Sequence, residues 1–187
     1  KDSMFVTKRA VAINLVDNDS VYIHGKKLLV TGKPAFRVIR AFNNARFYKT
    51  DLSGKCDSIH SSQETNLTKL IGNPVLWNIE TQMTGDVMHL IGNKATQKLD
   101  SLKILNNTFI ISKDTIGTGY NQVKGQNLYG KFKDGKIHET DIIKNTEVIG
   151  DTRFDRVHAL REQVFNDQVI TDFTANAKVF IAGSVWA

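Results

Sequence analysis

Apolar and polar residues alternate along most of this chain, as in "KILNNTFIIS" (103–112) and "KVFIAG" (178–183). A period of two is the signature of a half-buried β-strand, and the apolar positions are rich in Val, Ile, Phe and Tyr. The runs are interrupted by "NN", "GNP", "KDG" and "SG", where Asn and Gly tolerate the positive φ of tight turns. The pattern predicts an all-β chain of short strands with little or no helix. Only "DRVHALREQVF", Asp155 to Phe165, carries a helical spacing, in Val157, Leu160 and Val164. Its lead-in "IGDTRFDR" resembles "MTGDVMHL" upstream, so strand is expected there too.

The strands repeat. "RAFNNARFY", "KLIGNPVLW", "KILNNTFII" and "DIIKNTEVI" align on Asn44, Asn73, Asn107 and Asn145, with a weaker fifth unit, "DFTANAKVF", on Asn176. A glycine opens each of the first four units: Gly25, Gly54, Gly85 and Gly125, lying 19, 19, 22 and 20 residues before its asparagine. A helix-free repeat of about 30 residues cannot bury an apolar face alone and must stack on its neighbours. The chain therefore reads as one elongated stack over 1–187.

Columns of the repeat assign faces. Three positions after the asparagine stand Phe47, Leu76, Ile110, Val148 and Val179, and three before it stand Ala41, Leu70, Ile104 and Ile142, all apolar. These are the expected inward rows. Four before it stand Arg40, Lys69, Lys103, Asp141 and Asp172, a solvated column. Tyr48 and Trp77 share a column with Ile111, Ile149 and Phe180 that alternation places on the outer face.

Composition narrows the function. With 41% hydrophobic and 24% charged residues, the chain has no apolar run near the roughly 20 residues of a membrane helix. The first residues, "KDSMFVTKRAVAIN", contain no signal-peptide apolar core, and the first unit begins without a cap, so a longer parent stack is expected. A net charge of +6 favours an anionic partner, but the cations are scattered and nothing specific points to nucleic acid.

Candidate chemistry is sparse. The single cysteine, Cys56, excludes an internal disulfide and any multi-cysteine metal site. Cys56, Ser58 and His60 are expected on one strand face, with Asp57, Ile59 and Ser61 on the other. Four strand residues span about 13 Å, too far for a thiolate–imidazole pair. The other histidines, His24, His89, His138 and His158, have no ligand spacing, although stacking offers His24 and Cys56 as neighbours. Asp57 and Asp86 fall in different columns, and Asp141 and Asp172 align within the solvated one, so no catalytic carboxylate pair emerges. "GTGYNQVKG" lacks the rest of a phosphate-binding loop. No catalytic residue, metal site or cofactor is expected.

The segments "TKRAVAINLVDNDSVYIHGKKL", "RFYKTDLSGKCDSIHSSQETNLTKLIGNPVLWNIETQMTGD" and "DSLKILNNTFIISKD" resemble, in their order and spacing, the OstA-like family of lipopolysaccharide-transport proteins that includes LptA. The resemblance is strongest over 1–149, whereas 150–187 diverges. It implies antiparallel strands in two facing sheets, a β-taco or open jelly roll, holding acyl chains of lipopolysaccharide (lipid A) between them. It further implies a periplasmic, non-catalytic carrier that joins other β-taco proteins, or copies of itself end to end, by edge-strand addition. The groove would be lined by the two apolar rows above. Two other classes stand beside it: a β-solenoid enzyme acting on a polysaccharide, and a structural or adhesive repeat with a dry core.

Overall fold

A computed structural model describes residues 3–16, 19–79, 81–96, 98–113, 119–133, 136–149 and 176–179. The Asp155 to Phe165 segment, Asp172 and Phe180 lie outside the described residues. All regular structure among those described is strand, and every pairing is antiparallel. The all-β expectation therefore holds.

Four long strands come first: β1 (Ser3–Val16), β2 (Asp19–Thr31), β3 (Val38–Lys49) and β4 (Leu52–Ser62). Shorter ones follow: β5 (Leu67–Ile71), β6 (Val75–Asn78), β7 (Thr81–Thr84), β8 (Val87–Gly92), β9 (Leu99–Leu105) and β10 (Thr108–Lys113). The rest are β11 (Tyr120–Gly125), β12 (Asn127–Lys133), β13 (Lys136–Ile143), β14 (Glu147–Ile149) and β15 (Asn176–Val179).

The sheet divides at β4. Its Ser53–Lys55 stretch pairs with β6, while Ser58 to Ser62 pairs with β5. One arm, A, continues through β6, β7, β10, β11 and β14; the other, B, continues through β5, β8, β9, β12, β13 and β15. The division coincides with a line of bends, one inside β3 and others between β5 and β6, β9 and β10, and β13 and β14. In β3 and the later upward segments the bend is two consecutive left-handed residues: Asn43–Asn44, Gly72–Asn73, Asn106–Asn107 and Lys144–Asn145. The aligning asparagine of the repeat is thus the second bend residue. Left-handed backbone costs most L-residues roughly 1–2 kcal/mol, least for Gly and Asn, which explains the column's composition.

Beside the bends runs a row of small residues, Ala10, Gly25, Ala45, Cys56, Pro74, Gly85, Thr108 and Gly125, all buried. Ala10 opposes Gly25, Ala45 opposes Cys56, and Thr108 opposes Gly125. A methyl on Gly85 or Gly125 would collide with the side chain of Ile104 or Ile142, so the crease excludes larger residues. Its member on β4 is Cys56, not Gly54. Gly54 has another reason to be glycine: its missing Cβ would stand 2.5 Å from Cε1 of Phe47, whose ring crosses it.

Two apolar rows fill the space between the arms. In arm B the directly paired residues are Leu28, Ala41, Ile59, Leu70, Met88, Ile104, Leu128 and Ile142. In arm A they are Ile23, Phe47, Gly54, Leu76, Met83, Ile110 and Val123. These rows form a single core, each fully buried Leu, Ile or Met contributing about 1.5–3 kcal/mol.

Candidate functional site

The expected inward residues fall into these rows. Ala41, Leu70, Ile104 and Ile142 lie in the arm B row, and Phe47, Leu76 and Ile110 in the arm A row; all seven are buried. Val148 opposes Val123 and extends the arm A row by register. Val179 does not join it: it opposes Thr140, in arm B. The fifth unit contributes its strand to the other arm, so its asparagine does not mark the same place in the stack.

Toward the open side the arms separate around a cavity of about 780 Å³, within the roughly 300–1,000 Å³ range of small-molecule sites. Of these seven buried residues Phe47 alone borders it. Its apolar floor is completed by Ile23, Ile39, Ile59, Leu90 and Leu99. The asparagine columns miss most of these because Ile23, Ile59 and Leu90 come from β2, β4 and β8, which carry no aligning asparagine. Ile39 was hidden for another reason. Its row reads Ile39, Ser61, Thr68, Leu90, Leu102, Gly130 and Thr140, too mixed to score as apolar.

The rim is polar and organised. Lys49 Nζ lies 2.8 Å from Asp51 Oδ1 and 3.8 Å from Asp19 Oδ2. Thr50 Oγ1 donates to Asp19 Oδ1 at 3.0 Å, and Asn78 Nδ2 donates to the Asp51 carbonyl at 2.9 Å. Partial desolvation alone would raise the Asp19 carboxyl. Hydrogen bonds from Thr50 and Ser20, with the charge of Lys49, outweigh it and hold the group below the usual carboxylate range. Across the cavity Ser61 and Thr68 share a hydrogen bond of 2.8 Å. Apolar floor and charged rim together suit an amphiphile. The Asp19–Lys49–Asp51 cluster was not legible in the sequence, since its members meet only when β2 and the β3–β4 turn are paired.

The shared face expected for Cys56, Ser58 and His60 is not formed. Burial along β4 changes phase at the bend, from Gly54 and Cys56 to Ile59, where register with β3 skips from Phe42–Ser58 to Ala45–Cys56. Cys56, Ile59 and Ser61 point inward, while Ser58 and His60 point outward. The Cys56 thiol donates to the Ser58 carbonyl at 3.2 Å, and burial pushes its pKa up to about 11. A buried, protonated thiol is a small apolar filler, not a nucleophile. His24 does not approach it; its Nδ1 bonds the Ala10 carbonyl at 2.9 Å, in an outer row with Arg46 and Lys55. Among the described residues no group of three or more His, Cys, Asp or Glu side chains gathers at metal-binding distance.

The outer face of arm A carries Tyr22, Tyr48 and Trp77, as alternation requires. Tyr22 and Tyr48 are paired, with ring centroids 6.4 Å apart. Along the open side of β2, β1 pairs with no other described strand, and Phe5, Val11, Ile13 and Leu15 are exposed on it. No known family model matches the chain, and no curated protein matches it either.

Proposed function

We propose that this chain is a non-catalytic carrier of lipopolysaccharide, taking acyl chains between its arms at the cavity. The observation that carries the reading is the cavity itself, an apolar floor of Phe47, Ile23, Ile39 and Ile59 beneath a charged edge. Each methylene withdrawn from water is worth roughly 0.8 kcal/mol, so partial enclosure of a few acyl chains suffices for micromolar retention. The resemblance to the OstA-like family points the same way and supplies the setting, the periplasm, with delivery toward the outer membrane. The β1 edge, which pairs with no described strand other than β2 and exposes apolar side chains, suits strand addition by another β-taco module or a second copy.

The test is a titration of purified protein with fluorescent lipid A. Saturable binding, weakened at least tenfold by Phe47→Asp or Ile39→Asp in variants that keep their β-sheet circular dichroism, is the expected result. Absence of binding by the folded protein would overturn the proposal.

A further inference from the structure

The outer face of arm B holds a feature the cavity does not use. Its middle row pairs Arg40 with His60, His60 with Lys69, Lys69 with His89, and His89 with Lys103. The upward strands β3, β5 and β9 supply the permanent cations and the downward strands β4 and β8 supply the histidines. At a strand spacing of roughly 4.8 Å the five groups form a line about 19 Å long.

Like charges directly opposite one another destabilise a sheet, and acidic residues would ordinarily be interleaved. Here they are not. The diagonal neighbours of His60 are Val38, Phe42, Leu67 and Ile71, and those of His89 are Leu67, Ile71, Ser101 and Leu105. Arg40 donates to the Thr31 hydroxyl at 3.1 Å, and Lys103 lies 5.6 Å from the Tyr129 ring centroid. Among the described residues no carboxylate pairs with Arg40, Lys69 or Lys103. The row first meets an acidic residue at Asp141, opposite Tyr129.

We propose that this ladder binds an anionic polysaccharide lying lengthwise across the strands, its charged groups over Arg40, Lys69 and Lys103 and its ring faces on the uncharged rows alongside. The geometry is a line, not a field. The row toward the bends is Phe42, Ser58, Ile71, Val87 and Leu105, and that toward the open side is Val38, Ser62, Leu67, Ile91 and Ser101, both without charge. A single polymer chain with apolar sugar faces matches one charged row between two uncharged ones; a bilayer surface would call for cations spread in two dimensions.

The histidines make the ladder responsive to pH. Partial burial, then the cations on either side, holds both His60 and His89 below the ordinary histidine range. The groups facing His60 are Arg40 and Lys69, and those facing His89 are Lys69 and Lys103. An anion over the row offsets that repulsion, so binding and protonation of the two rings reinforce each other.

The experiment uses dextran sulfate as probe, with neutral dextran and phosphatidylglycerol/phosphatidylcholine vesicles as comparisons. Expected are saturable binding of dextran sulfate that tightens at least threefold from pH 8 to pH 5.5, and loss of that pH dependence in His60→Gln/His89→Gln. Arg40→Gln/Lys69→Gln/Lys103→Gln should weaken binding at least tenfold and lower the salt slope of log K by about 2. Lys26→Gln/Lys33→Gln/Lys124→Gln, with the same net charge, should change it less than twofold. Equal loss in both triple variants, equal binding of neutral dextran, or pH dependence surviving the histidine changes would overturn the proposal. So would tighter, ladder-dependent binding to the anionic vesicles. None of these outcomes depends on lipid A binding in the cavity.

Discussion

The crease explains why small residues recur at the bends, and Gly85 tests it most sharply. Its φ is not in the left-handed region, so alanine is conformationally allowed there. Alone, Gly→Ala at such a position would stabilise by about 0.4–1 kcal/mol through the unfolded chain. The added methyl, however, collides with Cγ2 of Ile104 and stands 3.1 Å from the Asn106 carbonyl oxygen. Ile104 is fully buried, so it cannot swing into solvent, and overpacking of this kind costs about 1–3 kcal/mol. The collision outweighs the entropy gain, leaving a net loss of about 1–2 kcal/mol.

Urea unfolding followed by circular dichroism should register a midpoint lowered by about 0.5–1 M at unchanged slope, for a slope of about 2 kcal/mol/M. Ile104→Leu removes the offending Cγ2 and alone costs less than about 1.5 kcal/mol. Combined with Gly85→Ala it should lose less than the sum of the two, by about 1 kcal/mol or more. A Gly85→Ala protein as stable as the wild type, or a double variant additive within about 0.3 kcal/mol, would refute the crease packing.

Other consequences follow from the same geometry. Cys56 should resist iodoacetamide at pH 8 in the folded protein and react on unfolding. Because its folded pKa is raised to about 11 from an ordinary value of 9.0, its contribution to stability is complete below pH 9 and declines as pH climbs through 11; Cys56→Ala should remove that part of the pH dependence and otherwise cost little. Asn44→Val, placing a β-branched residue at φ 61°, should lose about 1–2 kcal/mol in chemical denaturation, whereas Asn44→Gly should stay within about 0.5 kcal/mol of wild type. On the β1 edge, Ile13→Lys should reduce concentration-dependent association in analytical ultracentrifugation, and unchanged association would remove β1 as the docking edge.

The sequence made the strands and inward columns readable because both depend on local rules, alternation and left-handed asparagines. Asn73 and Asn107 carry their alignment into the structure as bend residues, and Leu70 and Ile104 arrive in one buried row. What escaped reading depended on pairing between strands. Cys56 and His60 seemed to share a face until the bend reversed the alternation, a change of phase that a strict period of two cannot encode. The basic column of Arg40, Lys69 and Lys103 was visible, but His60 and His89 entered it only when the downward strands were placed between the upward ones. Val179 shows the limit of column matching: it fits the apolar column of the repeat, yet hydrogen-bonded register carries it to the opposite arm.

The most direct test of the carrier places a photo-reactive amino acid at single positions and exposes the protein to lipopolysaccharide before irradiation. Cross-links should form from Phe47 and Ile39, which border the cavity, and not from Tyr48 or Arg40, their outward-facing neighbours in sequence. Cross-linking from Tyr48 or Arg40 with none from Phe47 and Ile39 would contradict a lipid held between the arms.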